Sequence, residues 1–241
     1  MKINYVIAGW SGARACGQDP NLGKRYIVRH IEQLNRLKHN LAQVTICNPH
    51  NPHNEQYDKY VNALKELELE NKGCKIEILD RPNSMVAYGS WSDAYAKYRQ
   101  EFDYYILMED DYLPVKDNFD TILVDLLNEK KAGYLGAFLS TTSCVPDGRK
   151  HMGITNGIAS KEALEAVFLK FGCLMAQYVE PNYWLNQVNF SLAFMDAGYT
   201  IADWSDKFRV PFWYAQGSNM MEFAPNAPDE IIIPMERIGG Y

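Results

Sequence analysis

The residues best suited by type and spacing to do chemistry are three consecutive carboxylates, Glu109, Asp110 and Asp111. Adjacent like charges repel, and a divalent cation relieves that repulsion. Carboxylate oxygens suit hard cations, so Mg²⁺ or Mn²⁺, completed by the oxygens of a phosphorylated substrate, is the expected guest. Tyr104 to Met108, directly before them, is a continuous apolar run, the pattern of a strand buried on both faces in a parallel sheet, and Pro114 closes the segment. Ligands of open α/β sheets bind in the crevice at the carboxyl ends of the strands. The acidic residues therefore stand where a charged ligand is held; the competing reading is a solvated acidic loop after an ordinary strand.

The elements that position them follow from periodicity. Ile3 to Ala8 reads as a buried strand that breaks at Gly9-Trp10-Ser11-Gly12, a turn that lets backbone approach a ligand. Tyr26 to Leu37 carries a helical apolar stripe at Ile27, Ile31, Leu34 and Leu37. Ala42 to Cys47 is a second strand, followed by a loop through His50 and His53, and Asn54 is placed to cap a helix reaching about Glu70. His50 and His53 lack a third metal ligand nearby, which leaves nucleobase contact or an ordinary exposed loop. Lys75 to Leu79 is a third strand, Tyr88 to Tyr98 a helix, and the acidic strand comes next. This alternation predicts a mostly parallel central sheet with helices on both faces.

The second half is more mixed. Phe119 to Asn128 reads as a helix, Tyr134 to Leu139 as a strand and Ser140 to Met152 as a polar loop. Gly153 to Ala159 is a short strand, and Ser160 starts a helix to about Phe171. Pro181 opens a last helix that stops at Gly198. Residues 1–203 read as one domain. Residues 204–241, rich in Pro, Asn and aromatic side chains, read as an extension packed on it.

Composition narrows the partners. A net charge of −6 and a pI near 5.4 argue against nucleic acid and anionic membrane. No apolar run approaches the roughly 18 residues of a membrane-spanning helix, so no transmembrane anchor is expected. The five cysteines are scattered without CxxC spacing, which predicts free thiols in a reducing, cytoplasmic setting.

Three stretches then resemble a known family. Gly89-Ser90-Trp91-Ser92-Asp93-Ala94-Tyr95-Ala96 followed by Tyr105 to Asp111 is similar to the helix and metal strand of the GT-A glycosyltransferases, family-2-like, with Glu-Asp-Asp as a variant of their Asp-x-Asp motif. Gly153 to Leu164 resembles the strand and helix that shape the sugar and acceptor pocket. Asn186 to Ile201 resembles the segment that opens with Glu-Asp and ends in Gly-Tyr-x-Ile. The resemblance implies the GT-A fold, with a nucleotide-binding half at about 1–115 and an acceptor half at about 116–203, and transfer of a sugar from a UDP- or GDP-type donor to a hydroxyl of a glycan, lipid-linked or small-molecule acceptor. It implies Asp111 and Glu109 as the Mn²⁺ or Mg²⁺ ligands, with Glu109 or Asp110 near the ribose or a metal-bound water. Ala8, Gly9, Trp10, Asp93, Asn156, Gly157 and Trp184 would complete the nucleotide-sugar site.

One position departs from the pattern. Where inverting relatives carry a Glu-Asp pair whose Asp acts as base, this chain has Asn186-Gln187, and amides accept no proton at neutral pH. Glu180, just before Pro181, could take that role; a retaining reaction would need no such base; or catalysis has been lost. Two further readings therefore stand beside glycosyl transfer. Ala8 to Arg14 with Lys24 is similar to the phosphate-gripping loop of sugar nucleotidyltransferases, although Trp10 replaces an expected glycine. A disabled protein that only binds nucleotide sugar or glycan is the other.

Overall fold

The computed structural model describes residues 1–11, 26–53, 56–110, 112–114, 116–140, 150–180, 183–204 and 235–237, with backbone alone at 138, 140, 154, 183, 184 and 235–237. In chain order the elements are β1 (Ile3–Ala8), α1 (Tyr26–Arg36), β2 (Gln43–His50), α2 (Tyr57–Lys65), β3 (Lys75–Pro82), α3 (Val86–Lys97), β4 (Tyr104–Glu109) and β5 (Tyr112–Pro114). They continue as α4 (Phe119–Glu129), β6 (Tyr134–Ser140), β7 (His151–Ser160), α5 (Lys161–Phe171), α6 (Tyr183–Asp196), β8 (Ile201–Asp203) and β9 (Met235–Arg237).

Seven strands form one sheet in the order β3-β2-β1-β4-β7-β6-β8. All run the same way except β7, which is antiparallel to both β4 and β6. The expected mostly parallel α/β sheet is therefore present, with its odd strand beside the acidic one.

Alternation along the strands sends side chains to two cores. Ile3, Tyr5 and Ile7 of β1 and Ile106 and Met108 of β4 pack with α1, α2 and α4 on one face. Val6, Ala8, Tyr105 and Leu107 pack with α3, α5 and α6 on the other. Both faces are covered, which is why these strands read as unbroken apolar runs. A large apolar side chain fully buried this way contributes roughly 1.5–3 kcal/mol.

β3 runs on to Pro82 and β7 begins at His151, inside the expected loop, and three larger differences from the sequence expectation stand beside these shifts. The helix expected to reach Glu70 ends at Lys65, because the Asn35 amide of α1 accepts the Glu70 N–H and donates to the Glu68 carbonyl, both at 2.9 Å. Those bonds draw the chain away from helical geometry; Asn54 itself lies outside the described residues. Strand β2 continues through Pro49 to His50, where a loop is expected. The β1 ladder stops at Ala8 opposite Cys47, so the missing Pro49 N–H costs no β1 bond. The C-terminal stretch, aperiodic in sequence, supplies β9, which pairs antiparallel with β5 immediately after the acidic residues.

Gly157 shows why β7 can lie between β4 and β6. A Cβ on it would stand 2.1 Å from the Leu135 carbonyl oxygen and 2.9 Å from the Gly136 Cα, both backbone atoms that cannot swing aside. Gly157→Ala is expected to destabilise the protein by about 3 kcal/mol through overpacking, read as a lower urea midpoint.

A polar tie joins α3 to α5. Glu165 accepts from Arg99 Nε at 2.7 Å and from the Tyr95 hydroxyl at 2.8 Å, and pairs a second time with the Arg99 guanidinium. The Arg99 bond holds its carboxyl down, from 4.5 to about 2. Between those values the folded state binds less proton than the unfolded chain. This contribution to stability is thus present above pH 4.5 and lost as pH falls toward 2. Glu165→Gln should flatten the stability-against-pH curve in that interval, as followed by urea unfolding.

Candidate functional site at the carboxyl ends of β1 and β4

The sheet order places β4 between β1 and β7, and each neighbour sends one polar group to the acidic end. In the β1–β4 register Ala8 faces Glu109, so the Gly9-Trp10 turn lies beside the turn that follows β4. There the Trp10 N–H donates to Asp110 Oδ2 at 3.2 Å. From β7, Asn156 closes a two-point clamp on Glu109: its Oδ1 accepts the Glu109 N–H at 2.6 Å, and its Nδ2 donates to Glu109 Oε2 at 3.1 Å. Asn156 is buried, Asp110 nearly so, and Glu109 is half-buried.

Ala8, Gly9, Trp10, Glu109, Asp110, Asn156 and Gly157 are thus brought together, in two layers. Glu109 and Asp110 bear the charge, and Asn156 and the Trp10 amide orient it. Gly9 leaves room where a Cβ would strike the Tyr60 hydroxyl at 1.9 Å, and its N–H donates to the Cys47 carbonyl at 3.1 Å. Asp111 lies outside the described residues, as does the side chain of Trp184. Glu109 offers the carboxylate oxygens that a hard divalent cation takes, while among the described residues no group of three or more His, Cys, Asp or Glu side chains comes together to hold a metal ion.

The backbone behind the acidic end is fixed by aromatic groups. Trp91 Nε1 of α3 donates to the Met108 carbonyl at 3.2 Å, and the Tyr134 hydroxyl donates to the Thr155 carbonyl. The Tyr88 hydroxyl stands 3.3 Å from Thr155 Oγ1. Below the turn, His30 of α1 lies with Nδ1 3.3 Å from the Asp110 carbonyl oxygen and Nε2 2.6 Å from the Tyr5 hydroxyl. Burial lowers the His30 pKa to about 4, so the imidazole is neutral near pH 7. A carbonyl only accepts, so Nδ1 carries the hydrogen and Nε2 accepts from Tyr5. One signal could have found His30: it sits at i+3 from Ile27, a polar residue inside the buried stripe Ile27, Ile31, Leu34.

Other expected positions take other places. Asp93 pairs with Arg81 Nε at 2.7 Å at the carboxyl end of β3; the arginine is buried and its Nη2 also donates to the Ser84 carbonyl at 2.8 Å. Near it Asn48 donates to Asp80 at 2.7 Å, and the His50 ring tilts against Tyr57. Arg81, from a strand with no motif, is a residue that sequence reasoning missed. Asp203 accepts the Leu139 N–H at 2.6 Å, a tie between β8 and β6. Glu180 is exposed, just before α6.

Asn186 has a structural role that explains its amide. Its Oδ1 accepts the Val179 N–H at 2.8 Å and its Nδ2 donates to the Val179 carbonyl at 3.0 Å. An aspartate here would set a charge against that carbonyl.

The Asn156 clamp yields a direct test. Asn156→Asp removes a donor and places a second carboxylate against Glu109 Oε2. It is expected to cost about 2 kcal/mol or more at pH 7, and to regain part of that loss as acid protonates the introduced carboxyl. Thermal unfolding across pH measures both effects.

No protein-family model matches this sequence, and no curated protein matches it. Solved structures do match its shape. One is a cytidylyltransferase from Leptospira borgpetersenii serovar Hardjo-bovis, at TM-score 0.51 and 14% identity over 84% of this chain and 74% of that one. Another is a 4-diphosphocytidyl-2C-methyl-D-erythritol synthase from Anaerococcus prevotii, at TM-score 0.50 and 11% identity over 84% and 85%. A CMP:2-keto-3-deoxy-manno-octonic acid synthetase complexed with CTP matches at TM-score 0.49 and 14% identity over 84% and 88%. At such identities the likeness is one of fold: the chain has the nucleotide-diphospho-sugar transferase-like fold that the first two share.

Proposed function

We propose that the protein is a transferase working on a nucleotide sugar, or on the nucleotide from which one is made, bound with a divalent cation across the carboxyl ends of β1 and β4. The observation that carries this reading is the Asn156–Glu109 clamp. It joins the acidic strand to the β7 strand 47 residues later and so brings two motifs that are separate in sequence side by side, which supports reading them as one site. Glu109 and Asp111 would hold Mn²⁺ or Mg²⁺, whose chemistry is to offset the charge of a departing phosphate group. Asp110 would join the ends of β1 and β4 beneath the nucleotide, and Arg81 with Asp93 and Asn48 would border it further along the sheet.

Two chemistries fit. In the first, the sugar passes from a nucleoside diphosphate to an acceptor hydroxyl, with Glu180 as candidate base. The motif order, including Gly153 to Leu164, supports it. In the second, a sugar or sugar phosphate attacks a nucleoside triphosphate and pyrophosphate leaves. The solved proteins of the same fold favour this second chemistry over the first, being nucleotidyltransferases themselves. The cationic residues that would grip a triphosphate, Arg14 and Lys24, lie outside the described residues.

The deciding experiment supplies Mn²⁺ with either a panel of nucleotide sugars or a nucleoside triphosphate plus sugar phosphates and sugar acids. Released nucleoside diphosphate identifies glycosyl transfer, and released pyrophosphate identifies nucleotidyl transfer. Either activity should fall at least a hundredfold in Asp111→Ala, about 2.7 kcal/mol of transition-state stabilisation. Thermal stability unmoved by any nucleotide with Mn²⁺, far above a plausible Kd, would sink both chemistries.

A further inference from the structure

His30 lies directly beneath this site, yet neither proposed chemistry uses it. Its surroundings are those of a core residue: it is fully buried on the α1 stripe, its ring meets Tyr5 edge-on at 5.3 Å, and Tyr5 meets Phe119 at 5.7 Å. A leucine would fill such a place at less cost, because burying an imidazole requires partners for both nitrogens. What the imidazole adds is a donor aimed at one atom, the Asp110 carbonyl oxygen. That carbonyl lies one residue past Glu109, the last β4 residue paired with β1, so the β1–β4 ladder no longer reaches it. On the same residue, the carboxylate accepts the Trp10 N–H. Asp110 is thus held at two atoms, main chain to α1 and side chain to the β1 turn, and the first hold fixes the peptide from which the second projects.

We propose that His30, oriented by Tyr5, is a positioning residue for the cation and nucleotide site: it holds the Asp110 peptide so that the ends of β1 and β4 form one cradle. The proposal rests on the reading that a cation and nucleotide bind there. It assigns α1 a part in binding that its sequence, an ordinary amphipathic stripe, does not announce. Tyr5 acts at one remove, since its hydroxyl donates to Nε2 and so keeps the hydrogen on Nδ1, facing Asp110. Partners at this remove from a metal typically change its affinity 10- to 100-fold when removed.

Two polar substitutions separate the contacts. His30→Asn retains an amide donor near the Nδ1 position and gives up Tyr5. His30→Gln reaches Tyr5 and gives up Asp110. Mn²⁺ affinity, measured by electron paramagnetic resonance of free Mn²⁺ with UDP, CDP or GDP present, should weaken about tenfold or more in His30→Gln and stay within about threefold of wild type in His30→Asn. In the metal-free protein, the Trp10 amide should exchange its hydrogen faster in His30→Gln alone. Equal Mn²⁺ affinity in His30→Gln and wild type overturns the proposal, as does an equal loss in both variants, which is what a core-packing role predicts. Should His30→Gln not fold, Tyr5→Phe takes its place, with Mn²⁺ affinity lowered about threefold and faster Trp10 exchange expected; no change in either overturns the proposal. A wild-type protein that binds no Mn²⁺ with any nucleotide defeats the cation reading itself, and Trp10 exchange then decides whether His30 holds Asp110.

Discussion

Carboxylates at the end of a strand buried on both faces must be steered by neighbours, because the strand itself has no slack to turn them. In this protein two neutral donors do so from opposite sides, the Trp10 amide from β1 and the Asn156 amide from β7. Both follow from the sheet order, in which β4 is flanked by these two strands. The antiparallel direction of β7 matters here. In its register with β4, Leu107 faces Gly157, so Asn156 lies next along, toward the acidic end, and its side chain can reach back over Glu109. Neutral donors suit the task, since they orient a carboxylate without cancelling the charge that a cation would use.

A second requirement is that the strand ends stay put while carrying charge. Tyr88 and Trp91 of α3, Tyr134 of β6 and Phe190 and Phe194 of α6 form one aromatic cluster with ring centroids about 5 Å apart. Trp91 and Tyr134 also spend their polar tips on the Met108 and Thr155 carbonyls, one on each side of the Glu109–Asn156 clamp. Aromatic side chains suit both tasks, because the ring packs while the N–H or O–H bonds. Packing in the second core is therefore coupled to the geometry of the carboxylates.

Much of this was legible in the sequence. The apolar runs of β1 and β4 mark strands covered on both faces, and the alternation with helices predicts the sheet. The acidic residues at the end of β4, of which Glu109 and Asp110 are described, mark the candidate site. What sequence could not show is set by partners distant along the chain. The early end of α2 depends on Asn35, the length of β2 on β3 running beside it to Pro82, and the β5–β9 pair on a segment about 120 residues downstream with no periodicity of its own. The polar residues that orient the site, Asn156 and His30, look ordinary until the fold brings them under Glu109 and Asp110. Only the break His30 makes in an apolar stripe hints at a role.

Asn186 changes the meaning of half of the mismatch between Asn186-Gln187 and the Glu-Asp pair of the glycosyltransferase pattern. As a lost member of an acidic pair, an amide there is a defect; as a two-point brace on Val179 it is the residue the position requires. An amide offers a donor and an acceptor side by side, matching the N–H and C=O of one residue, and an aspartate matches only half of that pair. The brace ends one residue before Glu180. A carboxylate at 186 would repel the Val179 carbonyl and release the segment that carries Glu180 into α6. The brace accounts for Asn186, at the Glu of that pair, and not for Gln187, which stands where the pattern has its base. It is consistent with a base supplied from the segment it holds and equally with a reaction that needs none, so the question of activity passes to the carboxylates of β4 and to Glu180.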